Sequence, residues 1–281
     1  MMKGTLATYA TMILAMCLIV TAGCTGSVSG GENTTGPTAS AVSINDTPIR
    51  CAEVNGVSLA YREFGAGEPL LMIIGFSSVM EGWNETFIDI LADKYHVYIY
   101  DHRAMGHSGD NDAPYTIEQL ADDAAGLMDA LGYESMNVYG VSMGSSVSEE
   151  LVIAHPEHVR KLILSSATYS ARLNETQLLY SILNESAADP SQPEGVRKEA
   201  EANLAWDGVY DGLSGITNDV MLITGTDDVL TPDSVAVRIA GQINGSWLVR
   251  FKGIPHVGSS SAPEEYGEIV LTFLGMDESP A

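Results

Sequence analysis

Residues 136–144, MNVYGVSMG, decide the fold of this chain. The apolar run that opens the segment predicts a buried β-strand, and residues 145–154 after it predict a helix. Between them, GVSMG places Ser142 in the pattern G-x-S-x-G. A serine on a sharp turn from strand to helix projects its hydroxyl clear of the sheet, and the flanking glycines leave room in a crowded turn. The segment therefore predicts a nucleophilic serine.

A serine hydroxyl needs a general base, and the base needs an acid that orients it. His256 is the only one of the six histidines beyond residue 158, and it follows the last predicted strand. The acid is expected in the loop TGTDDVLTP at residues 224–232, where two aspartates are adjacent. Spacing from the glycine favours Asp228, with Asp227 as the alternative. The chain order Ser, Asp, His fits a serine nucleophile in an α/β sheet.

Acyl transfer also needs donors for the oxyanion of the tetrahedral intermediate. One is expected to be the backbone N–H of Met143, directly after the nucleophile. The other is expected to be the N–H of Phe76, in the loop after the apolar run 70–74, where Gly75 lets the backbone approach.

Strand and helix patterns alternate along the chain from about residue 51. Predicted strands cover residues 57–62, 70–74, 96–100, 136–139, 161–165, 220–224 and 247–251, with 57–62 patterned as a half-exposed edge strand. Predicted helices cover residues 84–94, 116–131, 145–154 and 264–274. This alternation predicts an α/β domain at residues 51–277, with a mostly parallel sheet and helices on both faces.

Residues 171–218 break the alternation, because nearly 50 residues pass without strand character. The segment contains two helical stretches, 175–183 and 194–205, split by DPSQP at residues 189–193. It is too long for a simple crossover. It predicts a short helical cap inserted over the carboxyl edge of the sheet, where ligands bind in such folds.

The charge of the chain excludes some partners. Thirteen Lys and Arg against 37 Asp and Glu give a net charge of −24. Such a surface repels nucleic acid, so no nucleic-acid partner is expected. The sequence has no H-E-x-x-H motif or Cys/His cluster, and we expect neither a metal nor a cofactor. The oligomeric state is left open.

The N-terminal residues have the pattern of an export signal. Lys3 precedes the apolar stretch 6–22, and small residues lead to Cys24, which predicts a signal peptide or membrane anchor at residues 1–23. Cys24 is a candidate lipidation site; an uncleaved anchor and plain secretion are the alternatives. The Gly/Ser/Thr-rich residues 24–50 predict a flexible tether. We therefore expect an extracytoplasmic enzyme tethered to the cell membrane.

Residues 51–277 resemble the α/β-hydrolase fold superfamily, in particular its lipase- and esterase-like serine hydrolases. The resemblance rests on GVSMG at residues 140–144, DHRAMGHS at 101–108, TIEQLADD at 116–123, and the segments that carry Asp228 and His256. It implies that Ser142, Asp228 and His256 form a catalytic triad.

The chain departs from the family pattern in three places. Ile74 stands where relatives usually carry a histidine, directly before Gly75 and the expected oxyanion donor Phe76. Ala104 stands where relatives usually carry a glycine. The cap is also shorter than is common in the family. The loss of the histidine is expected to change loop packing rather than abolish catalysis.

The expected function is cleavage of a small-molecule carboxylic ester through an acyl-enzyme on Ser142. Peptidase, thioesterase, C–C hydrolase and cofactor-free haloperoxidase activities occur on the same fold, which does not choose among them. The alternative from another class is a non-catalytic surface binding protein that keeps the scaffold.

Overall fold

The computed structural model describes residues 42–276 of the 281-residue chain. Their eight strands form one sheet in the order β1-β2-β4-β3-β5-β6-β7-β8. The strands are β1 (Arg50–Val54), β2 (Val57–Gly65), β3 (Glu68–Ile73), β4 (Tyr95–Tyr100), β5 (Met136–Val141), β6 (Val159–Ser165), β7 (Asp219–Gly225) and β8 (Trp247–Phe251).

The sheet is mostly parallel, as the alternation of strands and helices predicts. β3 pairs in parallel with β4 and β5, and parallel pairing continues through β6 and β7 to β8. β1 and β2 pair antiparallel to each other, and β2 pairs antiparallel to β4. β5 lies near the centre and is buried along its whole length, so the turn after it is held by rigid neighbours.

Helices cover both faces of this sheet, and each face has its own apolar core. The helices are α1 (Glu85–Ala92), α2 (Ile117–Leu131), α3 (Met143–Ala154), α4 (Gln177–Ala188), α5 (Glu194–Ala205), α6 (Asp233–Gln242), α7 (Gly258–Ser261) and α8 (Pro263–Leu274). α2, α3 and α6 pack on one face, and α1 and α8 pack on the other. The predicted α/β architecture is confirmed.

Two helix starts follow directly from the sequence. The side chain of Asn84 accepts a hydrogen bond from the N–H of Phe87, and Thr116 accepts one from Gln119. Such caps satisfy N–H groups that have no acceptor inside the helix.

The segment between β6 and β7 is helical, and the structure places no strand among its residues. It holds α4, α5 and two single 3₁₀ turns, Asn174–Thr176 and Leu213–Gly215. A small apolar cluster that includes Leu179, Leu183 and Leu230 joins α4 to the loop after β7. The cap is therefore packed onto the carboxyl edge of the sheet.

The structure corrects the predicted tether where it describes it. Ile44 anchors this segment to the domain: it is 1% exposed, its N–H donates to Glu85 Oε1 at 2.8 Å, and its carbonyl accepts from Arg62 Nη1 at 2.6 Å. The edge strand is β1 rather than residues 57–62, because β1 pairs along the outer side of β2. Residues 1–41, which include Cys24, lie outside the described residues.

A bilayer-spanning helix would need about 20 apolar residues in a row. Within residues 42–276, no helix is both long enough and apolar enough to cross a membrane.

Candidate active site

Ser142 sits on the turn between β5 and α3 with an unusual backbone. Its φ is 55° and its ψ is −121°, a conformation that costs free energy for a residue with a side chain. A Cβ at Gly144 would lie 2.0 Å from the carbonyl oxygen of Ile73. A Cβ at Gly140 would lie 2.4 Å from the carbonyl oxygen of Gly144. Both glycines of the G-x-S-x-G pattern are therefore required by close packing of backbone.

The structure brings Ser142, His256 and Asp228 into one hydrogen-bonded chain. Nε2 of His256 lies 3.0 Å from Oγ of Ser142, and Nδ1 lies 2.8 Å from Oδ2 of Asp228. These distances fit a neutral imidazole that donates from Nδ1 to the carboxylate and accepts at Nε2 from the serine hydroxyl. The arrangement can remove the serine proton while a nucleophilic attack proceeds.

The surroundings of Asp228 keep its carboxyl group ionised. Its carboxyl group is buried, which disfavours the charge, but His256 and donors from Thr231 outweigh burial and hold its pKa below the ordinary value. The N–H groups of Leu230 and Thr231 donate to Oδ1 at 3.0 and 2.9 Å. Asp227, the alternative acid, is exposed, and its Oδ1 lies 3.3 Å from the hydroxyl of Thr226. Geometry therefore distinguishes the two aspartates.

Thr231 is a further residue of the site, and no sequence motif points to it. Its Oγ1 lies 2.9 Å from Oδ2 of Asp228 and 3.3 Å from Nδ1 of His256. The same hydroxyl lies 2.9 Å from the carbonyl oxygen of Ser166, which follows β6. Thr231 thereby ties the acid loop to the neighbouring strand. In the sequence, Thr231 is recognisable only by its position three residues after Asp228.

The two expected oxyanion donors flank the nucleophile. Met143 is the first residue of α3, so its N–H has no acceptor within the helix. Phe76 follows Gly75, where an added Cβ would lie 3.1 Å from Cβ of Ser142. The loop that carries Phe76 therefore passes directly beside the nucleophile, which is the placement that an oxyanion donor needs.

Ile74, which stands where relatives usually carry a histidine, is held by a residue of the loop after β4. Nε2 of the buried His102 donates to the carbonyl oxygen of Ile74 at 3.2 Å. Burial lowers the pKa of His102 to about 4, so its ring is neutral near pH 7. This histidine therefore has a structural part: it holds the start of the loop that carries Phe76.

The loop at residues 101–108 packs tightly beneath the same region. Asp101 accepts from the N–H groups of Met80 and His107 at 2.7 and 2.8 Å. Arg103 makes two hydrogen bonds to the buried carboxylate of Asp123, at 2.6 and 2.7 Å. Ala104 adopts φ 60°, the left-handed region that favours glycine, which explains why a glycine is usual there.

A cavity of about 370 Å³ opens onto Ser142 and His256. Its apolar walls include Ile74, Phe76, Trp83, Leu179, Ile182 and Leu230. Among the described residues that line it, the charged side chain is that of Asp227, and none is a lysine or arginine. The cavity lies partly under the cap helix α4, and it suits an uncharged, apolar group.

A separate group of side chains has metal-ligand chemistry. Potential ligand atoms of His155, Glu157 and His158 lie within 4.8 Å of one another, and none of the three lines the cavity. Both histidines already contact carboxylates: His155 contacts Asp122 at 2.8 Å and His158 contacts Asp129 at 3.1 Å. These contacts occupy one ring nitrogen of each histidine.

Known proteins share both sequence and fold with this chain. The sequence model of the alpha/beta hydrolase fold matches residues 68–184. An Azorhizobium caulinodans protein named "Putative carbamate hydrolase RutD" is 26% identical over 253 residues, covering 77% of this chain and 95% of that protein. Rhodomycin D methylesterase DauP of Streptomyces sp. strain C5 is 35% identical over 121 residues, 41% of each chain.

Among solved structures, the enol-lactonase from Burkholderia xenovorans LB400 superposes with a TM-score of 0.70. The two chains are 24% identical, and the match covers 81% of this chain and 100% of that one. At this level of identity the likeness shows a shared fold.

Proposed function

This chain belongs to the α/β-hydrolase superfamily, and we propose that it is a serine hydrolase that cleaves carboxylic esters through an acyl-enzyme on Ser142. The observation that carries the proposal is the hydrogen-bonded chain from Ser142 Oγ through His256 to Asp228. Ser142 and His256 border an apolar cavity in which an ester could bind.

The first half of the reaction forms the acyl-enzyme. Oγ of Ser142 attacks the ester carbonyl carbon while Nε2 of His256 takes the hydroxyl proton. The carbonyl oxygen becomes an oxyanion, which the N–H groups of Phe76 and Met143 stabilise. Collapse of this intermediate breaks the bond to the leaving alcohol, which receives the proton from His256.

The second half regenerates the enzyme. His256 removes a proton from a water molecule, whose oxygen attacks the acyl carbon on Ser142. The same oxyanion donors act again, and Oγ of Ser142 leaves with the proton that His256 returns. Throughout, Asp228 keeps the ring oriented and stabilises its protonated form, which requires the carboxyl group to remain ionised.

The cavity favours an uncharged substrate. Its walls are mainly apolar, its charged lining residue is Asp227, and the whole chain carries a net charge of −24. The negative charge of the protein would repel an anionic substrate, and none of the described residues that line the cavity is a lysine or arginine that could bind it. We therefore expect neutral esters with a short apolar acyl or alcohol group.

A carbamate is the second candidate substrate, because the similar Azorhizobium caulinodans protein that bears that name aligns over 95% of its length. A carbamate carbonyl can be attacked by Ser142 in the same geometry. It would give a carbamoyl-enzyme in place of an acyl-enzyme.

A substrate panel tests the proposal. Purified residues 42–281 are assayed with p-nitrophenyl butyrate, a matched thioester, an anilide and a neutral carbamate, beside Ser142→Ala. We expect the ester to be turned over fastest and the variant to lose that turnover. Preferred turnover of the carbamate or thioester would reassign the substrate class. No turnover of any compound by folded protein would favour a non-catalytic role.

For the location of the enzyme, we propose that residues 1–23 direct export and that the mature protein stays tethered to the membrane. The apolar stretch 6–22 followed by Cys24 supports this. The full chain and its Cys24→Ala variant are expressed in a bacterium fed a radiolabelled fatty acid. Label that is lost in the variant supports lipidation, unlabelled membrane protein supports an uncleaved anchor, and unlabelled soluble protein outside the cytoplasm supports secretion.

A further inference from the structure

Residues 74–80, here called the oxyanion loop, are held at three points. His102 donates to the carbonyl oxygen of Ile74, and Asp101 accepts from the N–H of Met80. The third contact comes from the cap: Oε2 of Glu199 accepts from the N–H of Ser77 at 2.7 Å. The first two residues lie in the loop after β4, whereas Glu199 lies in α5.

Glu199 is fully buried, with 0% exposure. Burying a carboxyl group is costly unless it is hydrogen-bonded. Burial raises the pKa of Glu199 to about 8, although the Ser77 N–H and the Tyr115 hydroxyl that face it act in the opposite direction. Asp101 adds to the rise through charge repulsion. The group is therefore mostly uncharged near pH 7 and still accepts the bond from Ser77.

The close approach of α5 to the 101–108 loop places Glu199 against the oxyanion loop. A Cβ at Gly195 would lie 2.1 Å from the carbonyl oxygen of Ala104, so α5 rests directly on the 101–108 loop at this point. Glu199 is four residues later and therefore on the same face of the helix. Lys198 pairs with Asp110 and ties α5 to the chain just beyond that loop.

The bond acts on the peptide next to the oxyanion donor. The N–H of Ser77 belongs to the peptide group whose carbonyl is that of Phe76, so fixing it fixes the ψ angle of Phe76. Ser77 itself has φ 58°, in the left-handed region that is unfavourable for a residue with a side chain. A turn of this kind persists only when its surroundings hold it.

We infer that Glu199 is a positioning residue that holds the oxyanion loop from the cap, so that the N–H of Phe76 points at the reacting carbonyl oxygen. The inference rests on the proposed ester hydrolysis at Ser142. It assigns the cap a part in transition-state stabilisation in addition to covering the cavity.

The test compares Glu199→Leu with Glu199→Gln, using p-nitrophenyl butyrate. Leucine removes the acceptor, and we expect kcat to fall roughly 10- to 100-fold while KM stays within about threefold. Glutamine keeps an acceptor oxygen, and we expect its kcat within about threefold of wild type. Glu201→Leu, on an exposed position of the same helix, is the matched control and should leave both constants unchanged.

A purely structural role would lower the melting temperature of Glu199→Leu without this selective loss of kcat. Wild-type kcat in Glu199→Leu, a loss confined to KM, or a glutamine variant as slow as leucine would each overturn the inference. If Glu199→Leu does not fold, Glu199→Asp replaces it, because the shorter side chain withdraws the acceptor; an unchanged kcat there also overturns the inference. Absence of turnover by the wild type would overturn the ester-hydrolase proposal as well, and so is a distinguishable result.

Discussion

Oγ of Ser142 and Nε2 of His256 are 3.0 Å apart although 114 residues separate them in the chain. The parallel sheet explains this proximity. Ser142 follows β5 and His256 follows β8, and the carboxyl ends of parallel strands meet at one edge of the sheet. Asp228 follows β7 and completes the set at the same edge.

The two adjacent aspartates give a prediction with an internal control. Asp228→Asn should lower kcat/KM by about 10³- to 10⁴-fold, because an amide neither fixes the ring tautomer nor stabilises the imidazolium. Asp227→Asn should lower kcat/KM by no more than about tenfold, since its exposed carboxyl lines the cavity but does not contact His256. Steady-state kinetics on p-nitrophenyl butyrate compare them. A larger loss in Asp227→Asn would move the acid to that residue.

Gly144, in the first turn of α3, is expected to be intolerant of any side chain. In Gly144→Ala the new Cβ would lie 2.0 Å from a carbonyl oxygen of β3, so backbone must shift, and we expect a loss of at least about 2 kcal/mol of unfolding free energy. Gly241→Ala in α6 meets nothing within 4 Å and should instead stabilise the protein by about 0.5–1 kcal/mol. Urea unfolding measures both. Equal effects of the two substitutions would contradict the close packing of Gly144 against β3.

Much of the fold and site is predictable from the sequence because local signals coincide with burial. The pattern around Ser142, the Thr116 cap of α2 and the apolar run of β3 each point to the structure found. His256 and Asp228 are identifiable because they follow predicted strands that end at a common edge.

Other features have no local signal. β1 is an exposed edge strand whose segment RCAEV is mixed in polarity. α6, DSVAVRIAGQ, carries the β-branched residues Val235, Val237 and Ile239 at every second position, as a strand does. The contact between Glu199 and Ser77 joins residues 122 positions apart, and it depends on how the cap docks. These parts are set by tertiary packing, which overrides local preference.

The titration of Glu199 predicts how stability depends on pH. Its pKa rises from 4.5 to about 8 on folding, so the folded protein binds more protons than the unfolded chain between these values. The stability that this group contributes is therefore present below pH 4.5 and is lost as pH rises to about 8.

Glu199→Gln cannot ionise, so its melting temperature should match wild type below pH 4.5. It should exceed that of wild type increasingly up to about pH 8 and by a constant amount above it. Thermal melts across this range, with exposed Glu201→Gln as the control, test the expectation. A difference that does not change with pH would contradict the buried, proton-bound carboxyl.

Ala104 predicts a stabilising substitution. A residue with a Cβ at φ 60° costs about 1–2 kcal/mol, and Ala104→Gly removes this cost while adding about 0.5–1 kcal/mol of unfolded-state entropy. We expect a net gain of up to about 1 kcal/mol by urea unfolding. Ala113→Gly, an exposed loop position without positive φ, should give no gain. Destabilisation by Ala104→Gly would mean that its methyl group packs favourably.

Intact-mass analysis after treatment with a fluorophosphonate probe tests whether Ser142 is an activated nucleophile. Such a probe reacts with a serine hydroxyl only when a base removes its proton. We expect one adduct on residues 42–281 and none on Ser142→Ala. Folded protein that gains no adduct, or a Ser142→Ala variant that gains the same one, would contradict this expectation.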